Sequence, residues 1–529
     1  MVARPTVFVR DATGLVREIS FFGAFALASG NMSVITGWYL FGWFGAAVPG
    51  GELGIATLLG TVFILFPALI YAMMSAAFPR SGGDYVFVSR VLYPSLGFLV
   101  NFYLAFYWMT AIGFSTPVVV IPNLSALLGI YGTLYNNSTL LGWVAALTNV
   151  NVATAVAVGF IIVFTALALL NVRSFYHIMV GMLVLCFLAL FLSFAVMWSA
   201  NPTDFATAFN AFAGTPNLYQ TIIANATKSG LAQNWTWGAT LGPTLLFAWL
   251  MLGGFQFPAF IGGEVKRPTR TLPLSIALAI VFNGILYAIF YELTYHAFGY
   301  AFMNASGFAG VNPSVTPLFV PYFLAVLTKD NPILLFIIQL GYFIGGPWLI
   351  LTFYAFGTRC IFAWSFDRVV PSKLCQVSER LGTPTYAVLV AAFVYGIFFL
   401  LLYNYTSIAA YYSNMTLGYV IVTMVVMIAA IVFPWKKKDV FNSSPGFTRA
   451  KVGGVPLISI IGAVGFCYLA YVLYGGLTNP SVFGPISGAS LGFMVGVLVV
   501  SVVIYYASVA YHKTKGVDIT LAFKEIPPE

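Results

Sequence analysis

Apolar residues along this chain gather into runs of about 20, separated by short polar stretches, which is the length an α-helix needs to cross a bilayer. Twelve such runs are predicted, near 19–44, 52–77, 95–121, 151–171, 175–199, 241–262, 273–299, 332–360, 384–404, 407–433, 456–475 and 488–511. They are continuous, as from Val152 to Leu170, whereas barrel strands would alternate over roughly ten residues, so a transmembrane barrel is discarded. The segment before Ile19 carries Arg4, Arg10, Asp11, Arg17 and Glu18, with no apolar core or cleavage site. No secretory signal peptide is expected there, and the first run serves as its own insertion signal.

Charge then orients the runs. If the N-terminus is cytoplasmic, alternate connections place every one of the 23 basic residues on the inner side except Lys228 and Lys329. The positive-inside rule therefore supports both the count and the orientation, with both termini cytoplasmic and the protein multi-pass in the plasma membrane. The net charge of +9 follows from topology, and no nucleic-acid partner is implied. A composition that is 60% hydrophobic and 7% charged leaves the lipid bilayer as the solvent.

Composition also excludes chemistry. Cys186, Cys360, Cys375 and Cys467 lack paired spacing and avoid the outer loops, so neither a disulfide framework nor a metal site is expected. Only His177, His296 and His512 are present, too few and too scattered for a haem site. No nucleophile or cofactor constellation suggests an enzyme, and no cofactor is expected beyond a coupling sodium ion or proton. Asn136-Asn137-Ser138-Thr139, Asn225-Ala226-Thr227 and Asn234-Trp235-Thr236 read equally as glycosylation acceptors or as chance in polar loops. Glu292 is the one tempting acid within a run. Counted from Pro273 it falls near the outer interface, where it is either an ion-coupling group or a hydrated acid beside His296.

Two runs contain glycine and polar residues in their middle: Ser29-Gly30-Asn31-Met32-Ser33-Val34-Ile35-Thr36-Gly37 in the first, and Leu252-Gly253-Gly254-Phe255-Gln256-Phe257-Pro258 in the sixth. Glycine also serves close helix packing. A break, however, offers free N–H groups to an anion and free C=O groups to a cation, so a zwitterion is held without charged side chains. The first and sixth positions correspond in two five-helix halves, as an inverted repeat with a midplane site requires.

Several connections resemble the amino acid–polyamine–organocation permease family. Phe78-Pro79-Arg80-Ser81-Gly82-Gly83-Asp84-Tyr85 looks like its loop after the second helix. Gly254-Phe255-Gln256 followed by Glu264-Val265-Lys266-Arg267-Pro268 resembles its sixth helix and exit. Thr358-Arg359, Asp367, Pro371 and Gly382-Thr383-Pro384 are similar to its connection from the eighth helix to the ninth. The likeness runs from Phe8-Val9-Arg10 to Gly453-Gly454-Val455-Pro456.

The resemblance implies an all-α polytopic fold of twelve transmembrane helices: a five-plus-five inverted repeat with discontinuous first and sixth helices, plus two C-terminal helices. The division expected is 1–18 as cytoplasmic N-terminus, 19–199 and 241–433 as the two repeats, 456–511 as the additional helices and 512–529 as cytoplasmic tail. It also implies alternating access around a substrate site drawn from Ser33, Val34, Ile35, Thr36, Gly37, Gly253, Gly254 and Gln256, with the Gly253 carbonyl as ammonium acceptor. The family's Gly-Ser-Gly break falls near Val34-Ile35-Thr36, which departs from it. Its gate aromatic falls at Leu250, with Phe247 and Trp249 adjacent. Tyr107, Trp108 and Phe353 are further candidate gate or pocket walls, and Thr352 with first-helix carbonyls is a candidate sodium site. Arg80, Asp84, Arg359 and Asp367 read as loop charges that pin helix ends and form an inner gate. The function implied is secondary transport of amino acids, neutral or apolar ones because no mid-span acid pairs a cationic side chain. A polyamine or organic-amine carrier, or a substrate-sensing receptor on the same fold, is the alternative.

Overall fold

A computed structural model describes residues 14–308, 310, 318–404 and 406–524; Arg4, Phe8, Val9, Arg10 and Asp11 of the expected N-terminal segment, and 525–529 of the expected tail, lie outside them. All twelve predicted runs are helical. Ten are continuous through the membrane: Leu53–Ala77, Pro94–Ser115, Val150–Ala168, Val172–Ser199, Pro268–Phe298, Pro332–Phe366, Thr385–Asn404, Thr406–Lys436, Leu457–Thr478 and Gly488–Thr514. The first and sixth are broken. The first runs Phe21–Asn31, loses helical geometry at Met32 and Ser33, and resumes as Val34–Leu40 and Phe41–Ala47. The sixth stops at Met251 after Leu245–Met251, unwinds through Leu252–Gln256 and resumes as Phe257–Phe260.

Helix starts follow from local chemistry. Side chains of Ser20, Glu52, Asn149, Asn171 and Asn331 accept first-turn N–H groups, and Ser487 with Ser490 forms a capping box. Pro94, Pro268 and Pro332 stand at first helical positions, where a missing N–H costs nothing. The third helix is longer than the predicted 95–121. It passes through a wide turn at Thr116–Val120, where Pro117 removes a donor, and continues as Ile121–Leu134. The connections read as polar stretches also contain helices, Ser138–Leu147, Pro202–Ala213 and Leu218–Lys228. Asn136, Asn225 and Asn234 are exposed in that region.

One end of the bundle gathers the ends of even helices and the starts of odd ones. The Ile19 N–H donates to the Glu264 carbonyl at 2.9 Å, joining the start of the first helix to the end of the sixth. Arg90 before the third helix pairs with Asp367 after the eighth at 2.6 Å. That alternation is what successive membrane crossings require, and this end, which holds Arg80, Arg90, Lys266, Arg267 and Arg359, is hereafter the basic end. The third helix is central and mostly buried, while the fourth and twelfth present mostly exposed apolar surface, as lipid-facing helices do. Exposed aromatics ring both ends, with Tyr93, Trp435 and Tyr511 at one and Tyr135, Trp198 and Trp237 at the other.

Close packing of the second and seventh helices depends on a missing side chain. A Cβ at Gly284 would lie 2.1 Å from the Thr61 Oγ1, so the two helices touch backbone to side chain. Gly284→Val is expected to destabilise the folded chain by about 1–3 kcal/mol through overpacking, read as a lower thermal midpoint in detergent. Thr61→Ala in the same background recovers part of the loss.

Candidate functional site

Each helix break leaves backbone groups without intrahelical partners, and in hydrocarbon these need partners from elsewhere in the protein. The seventh helix supplies them to the first. Asn283 Nδ2 donates to Ser29 Oγ at 3.0 Å, Tyr287 Oη to the Ser33 carbonyl at 3.1 Å, and Tyr291 Oη to the Gly37 carbonyl at 3.1 Å. Donors and acceptors both advance by four residues, so the two helices run parallel and a ladder of side-chain bonds spans the break. Between the two breaks, Asn31 Nδ2 donates to the Gly253 carbonyl at 2.6 Å. Gly254 has φ +88°, and a Cβ there would lie 2.6 Å from the Asn31 amide nitrogen, so only glycine permits this contact.

Two sets of backbone groups stand at the half-helix ends. Val34 and Ile35 begin their helix with no side-chain cap from Ser33, so among the described residues the N–H groups of this turn are without a side-chain cap. Trp249, Leu250 and Met251 end theirs, and the Ala248 carbonyl accepts from the Leu252 N–H at 3.0 Å. A positive half-helix end and a negative one thus lie at the same level.

A cavity of about 120 Å³ opens there. The first helix contributes Asn31, Thr36, Tyr39, Leu40 and Trp43, the third Tyr107, Trp108 and Ser115, and the sixth Leu250 and Met251. Tyr287, Leu349, Phe353, Tyr412, Ser413 and Thr416 complete the wall, and Val482 and Phe483 close the end away from the basic side. No lining residue is charged. Asn414 Nδ2 holds the closing segment through the Phe483 carbonyl at 2.7 Å. Trp108 stacks on Phe353 at 5.7 Å and meets Phe257 edge-on at 5.2 Å, and its indole N–H is buried without a partner.

Of the residues expected from sequence, Thr36, Tyr107, Trp108 and Phe353 line the cavity. Gly253 and Gly254 form the neighbouring break. Ser33 and Gly37 present carbonyls already bonded to tyrosines, Val34 is fully buried, and Ile35 packs toward Gly345. Gln256 donates to Tyr419 Oη at 3.2 Å, behind the wall. Phe247 and Trp249 do not line the cavity: Phe247 packs edge-on against Phe44 at 5.2 Å, and Trp249 stacks on Tyr419 at 4.8 Å. Their neighbours Leu250 and Met251 form the wall instead. Glu292 is exposed, with its side chain over Gly54 at the start of the second helix, and His296 faces the Trp198 carbonyl rather than Glu292. The Thr352 hydroxyl donates to the Leu349 carbonyl at 2.6 Å, and the Trp348 indole N–H takes the Ala26 carbonyl at 3.2 Å. Sequence reading missed Asn31 as the bridge and Tyr287, Tyr291 and Tyr419 as supports. The signal was there in Asn283, Tyr287 and Tyr291, a polar row at four-residue spacing in an apolar run.

Below the cavity the basic end is shut. Arg359 Nε and Nη2 bond both oxygens of Glu264 at 2.8 Å, and the two side chains are 6% and 0% exposed. Gly82 N–H donates to the Phe260 carbonyl at 3.1 Å, and Gly83, at φ +51°, lies against the Phe260 ring, where a Cβ would not fit. Arg359 and Asp367, expected as loop charges, are therefore buried pairing groups, with Glu264 and Arg90 as their partners.

Among the described residues two broken helices of the bundle therefore meet beside a cavity with no charged lining residue. The family model described as amino acid permease matches residues 19–500, and the chain belongs to that family. It is 24% identical over 492 residues to the branched-chain amino acid permease BcaP of Bacillus subtilis (strain 168), covering 88% of this chain and 89% of that protein. The chain is therefore an amino acid transporter of the membrane.

Removing one partner of the Arg359–Glu264 pair strands the other charge in a dry site. Arg359→Met is expected to lower stability by about 3–5 kcal/mol, and Arg359→Met with Glu264→Met by much less, in denaturant titrations of the purified protein.

Proposed function

We propose that this chain moves neutral, apolar α-amino acids of branched-chain size across the plasma membrane by alternating access, with both termini cytoplasmic and the basic end facing the cytoplasm. The observation that carries this reading is the uncharged cavity between the two half-helix ends. In this reading an α-carboxylate lies toward the start of the helix Val34–Leu40, whose Thr36 lines the cavity, and an α-ammonium toward the carbonyl end of the helix that stops at Met251, each favoured by the local dipole. The second carbonyl lone pair of Gly253 remains available to the ammonium beside Asn31. Leu250, Met251, Val119 and Leu349 then receive an aliphatic side chain. The relative's branched-chain name agrees with that wall. A polyamine needs buried carboxylates, and the lining has none. Residues 19–199 and 241–433 serve as the two repeats, since a break falls in the first helix of each.

Sodium does not fit the residues between the first and eighth helices. The Thr352 methyl stands 2.2 Å from where a Gly30 Cβ would be, so the first and eighth helices are in close contact beside the Ala26 carbonyl and the Thr352 hydroxyl, which leaves little room for an ion. We therefore take the driving ion to be the proton.

Leucine, isoleucine and valine at about 100 times Kd are expected to stabilise the detergent-purified protein by about 2.7 kcal/mol, with no shift from arginine or putrescine and no dependence on sodium. A shift with putrescine alone overturns the reading. Trp108→Phe keeps the stacking but removes the unpaired N–H. It is expected to weaken leucine binding by about 1 kcal/mol while leaving the ligand-free melting point unchanged, as calorimetry would show.

A further inference from the structure

Asp84 opens the helix Asp84–Val91 at the basic end and is fully buried. Unlike the other buried acids there, Glu264 and Asp367, it has no ion pair among the described residues. Its partners are neutral. Asn101 Nδ2 donates to one carboxyl oxygen at 2.6 Å, and Tyr71 Oη lies 3.1 Å from the other. Asn101 is itself fixed, because its Oδ1 accepts the Trp364 indole N–H at 2.6 Å.

The surroundings explain what such an acid does. From the second helix Tyr71 faces it, from the third Asn101, backed by Trp364, from the eighth Cys360, and from the tenth Tyr419. Tyr85 follows it on its own helix and contributes a backbone N–H. Among the described residues no arginine or lysine forms an ion pair with it. An ionised carboxylate in this site is poorly compensated, so burial pushes the Asp84 carboxyl up to about 7 against the three donors that oppose the shift.

Two structural features connect this acid to the carrier cycle. The first is a row of phenols: Tyr107 in the cavity wall stacks on Tyr419 at 5.3 Å, and Tyr419 and Tyr71 lie within electrostatic reach of each other and of Asp84. The second is the shut gate, since Asp84 follows directly on Gly82 and Gly83, which close against Phe260. Opening the basic end separates that loop from the sixth helix and admits water to the acid.

We propose that Asp84 is the proton-binding site of this transporter, loaded from the cavity side while the basic end is shut and emptied into the cytoplasm when it opens. This rests on the proton-driven reading above. The step balances simply: the carboxylate takes one proton from hydronium, a carboxyl O–H bond forming as a hydronium O–H bond breaks and water is left, and the carboxyl returns the proton to water as hydronium when hydration restores an ordinary carboxyl affinity. The sign is fixed by the direction of the shift. A carboxyl that binds its proton more tightly in the shut form stabilises that form at low pH, and this advantage is lost as pH rises from the ordinary carboxyl range to about 7. An alkaline interior therefore favours opening and release.

The test uses the purified full chain and needs no substrate for its first arm. Infrared titration is expected to show protonated-carboxyl absorption that disappears with a midpoint near 7 in the wild type. Asp84→Asn removes one component of it and leaves that of Glu52, whose buried carboxyl is also raised to about 7. Tyr71→Phe, which removes a donor to the Asp84 carboxylate, moves the Asp84 component upward. In the second arm, proteoliposomes are loaded with leucine. Asp84→Asn is expected to lose pH-gradient-driven accumulation at least about tenfold while keeping leucine counterflow near the wild-type rate, because exchange requires no proton release. A band unchanged by the substitution, accumulation that persists with wild-type pH dependence, or loss of counterflow together with accumulation each overturns the proposal. A wild type that fails to exchange leucine overturns the substrate reading, and the infrared arm still decides the proton site.

Discussion

The structure is governed by the rule that a membrane-embedded backbone must find every hydrogen-bond partner inside the protein. Breaking two helices violates that rule locally, and the neighbouring helices carry the repair. Asn283, Tyr287 and Tyr291 bond Ser29, Ser33 and Gly37 in register, so the second half of the first helix is held by the seventh helix as firmly as by its own backbone. Asn31 ties this to the sixth helix through Gly253. The cavity opens beside these breaks, and its lining holds no charged side chain.

The basic end solves a different problem. Arg90 with Asp367 and Arg359 with Glu264 are buried pairs, and such pairs contribute little net stability because desolvation offsets their attraction. For a gate that is an advantage. In the proposed alternating-access cycle the same charges are solvated by water when the end opens, so the two forms need differ little in energy and a bound ligand suffices to bias them. An apolar seal of the same area would lose far more on hydration and would lock the carrier in one form.

Helix count, helix type and the two breaks were legible in the sequence because they follow from run length and from glycine placed in the middle of apolar runs. Gly30, Gly253 and Gly254 signalled close approach, and each makes one. The long third helix and the helices between residues 202 and 228 were not legible, since outside the bilayer the apolar-run criterion has no force. Within the site, Thr36, Tyr107, Trp108 and Phe353 were foreseen and line the cavity, whereas Phe247 and Trp249 were displaced by Leu250 and Met251. A rotation of one residue along a helix moves a side chain by about 100°, and sequence does not fix helix phase to that precision when every face is apolar. Asp84 was read as a loop charge for a related reason: sequence shows the acid but not the missing cation.

Fixed dipoles and an uncharged wall divide the work of recognition. In the proposed reading the half-helix ends present the same partial charges to every α-amino acid, so they select the zwitterion and do not rank side chains. Ranking falls to the wall, where Leu250 stands at the position expected to hold an aromatic gate and Met251 supplies a flexible thioether. An aliphatic residue there leaves room beside Trp108 and Phe353 without closing over the ligand as a ring would. Val482 and Phe483, carried by the segment between the last two helices and fastened by Asn414, also line the cavity, so these two helices are structurally joined to it.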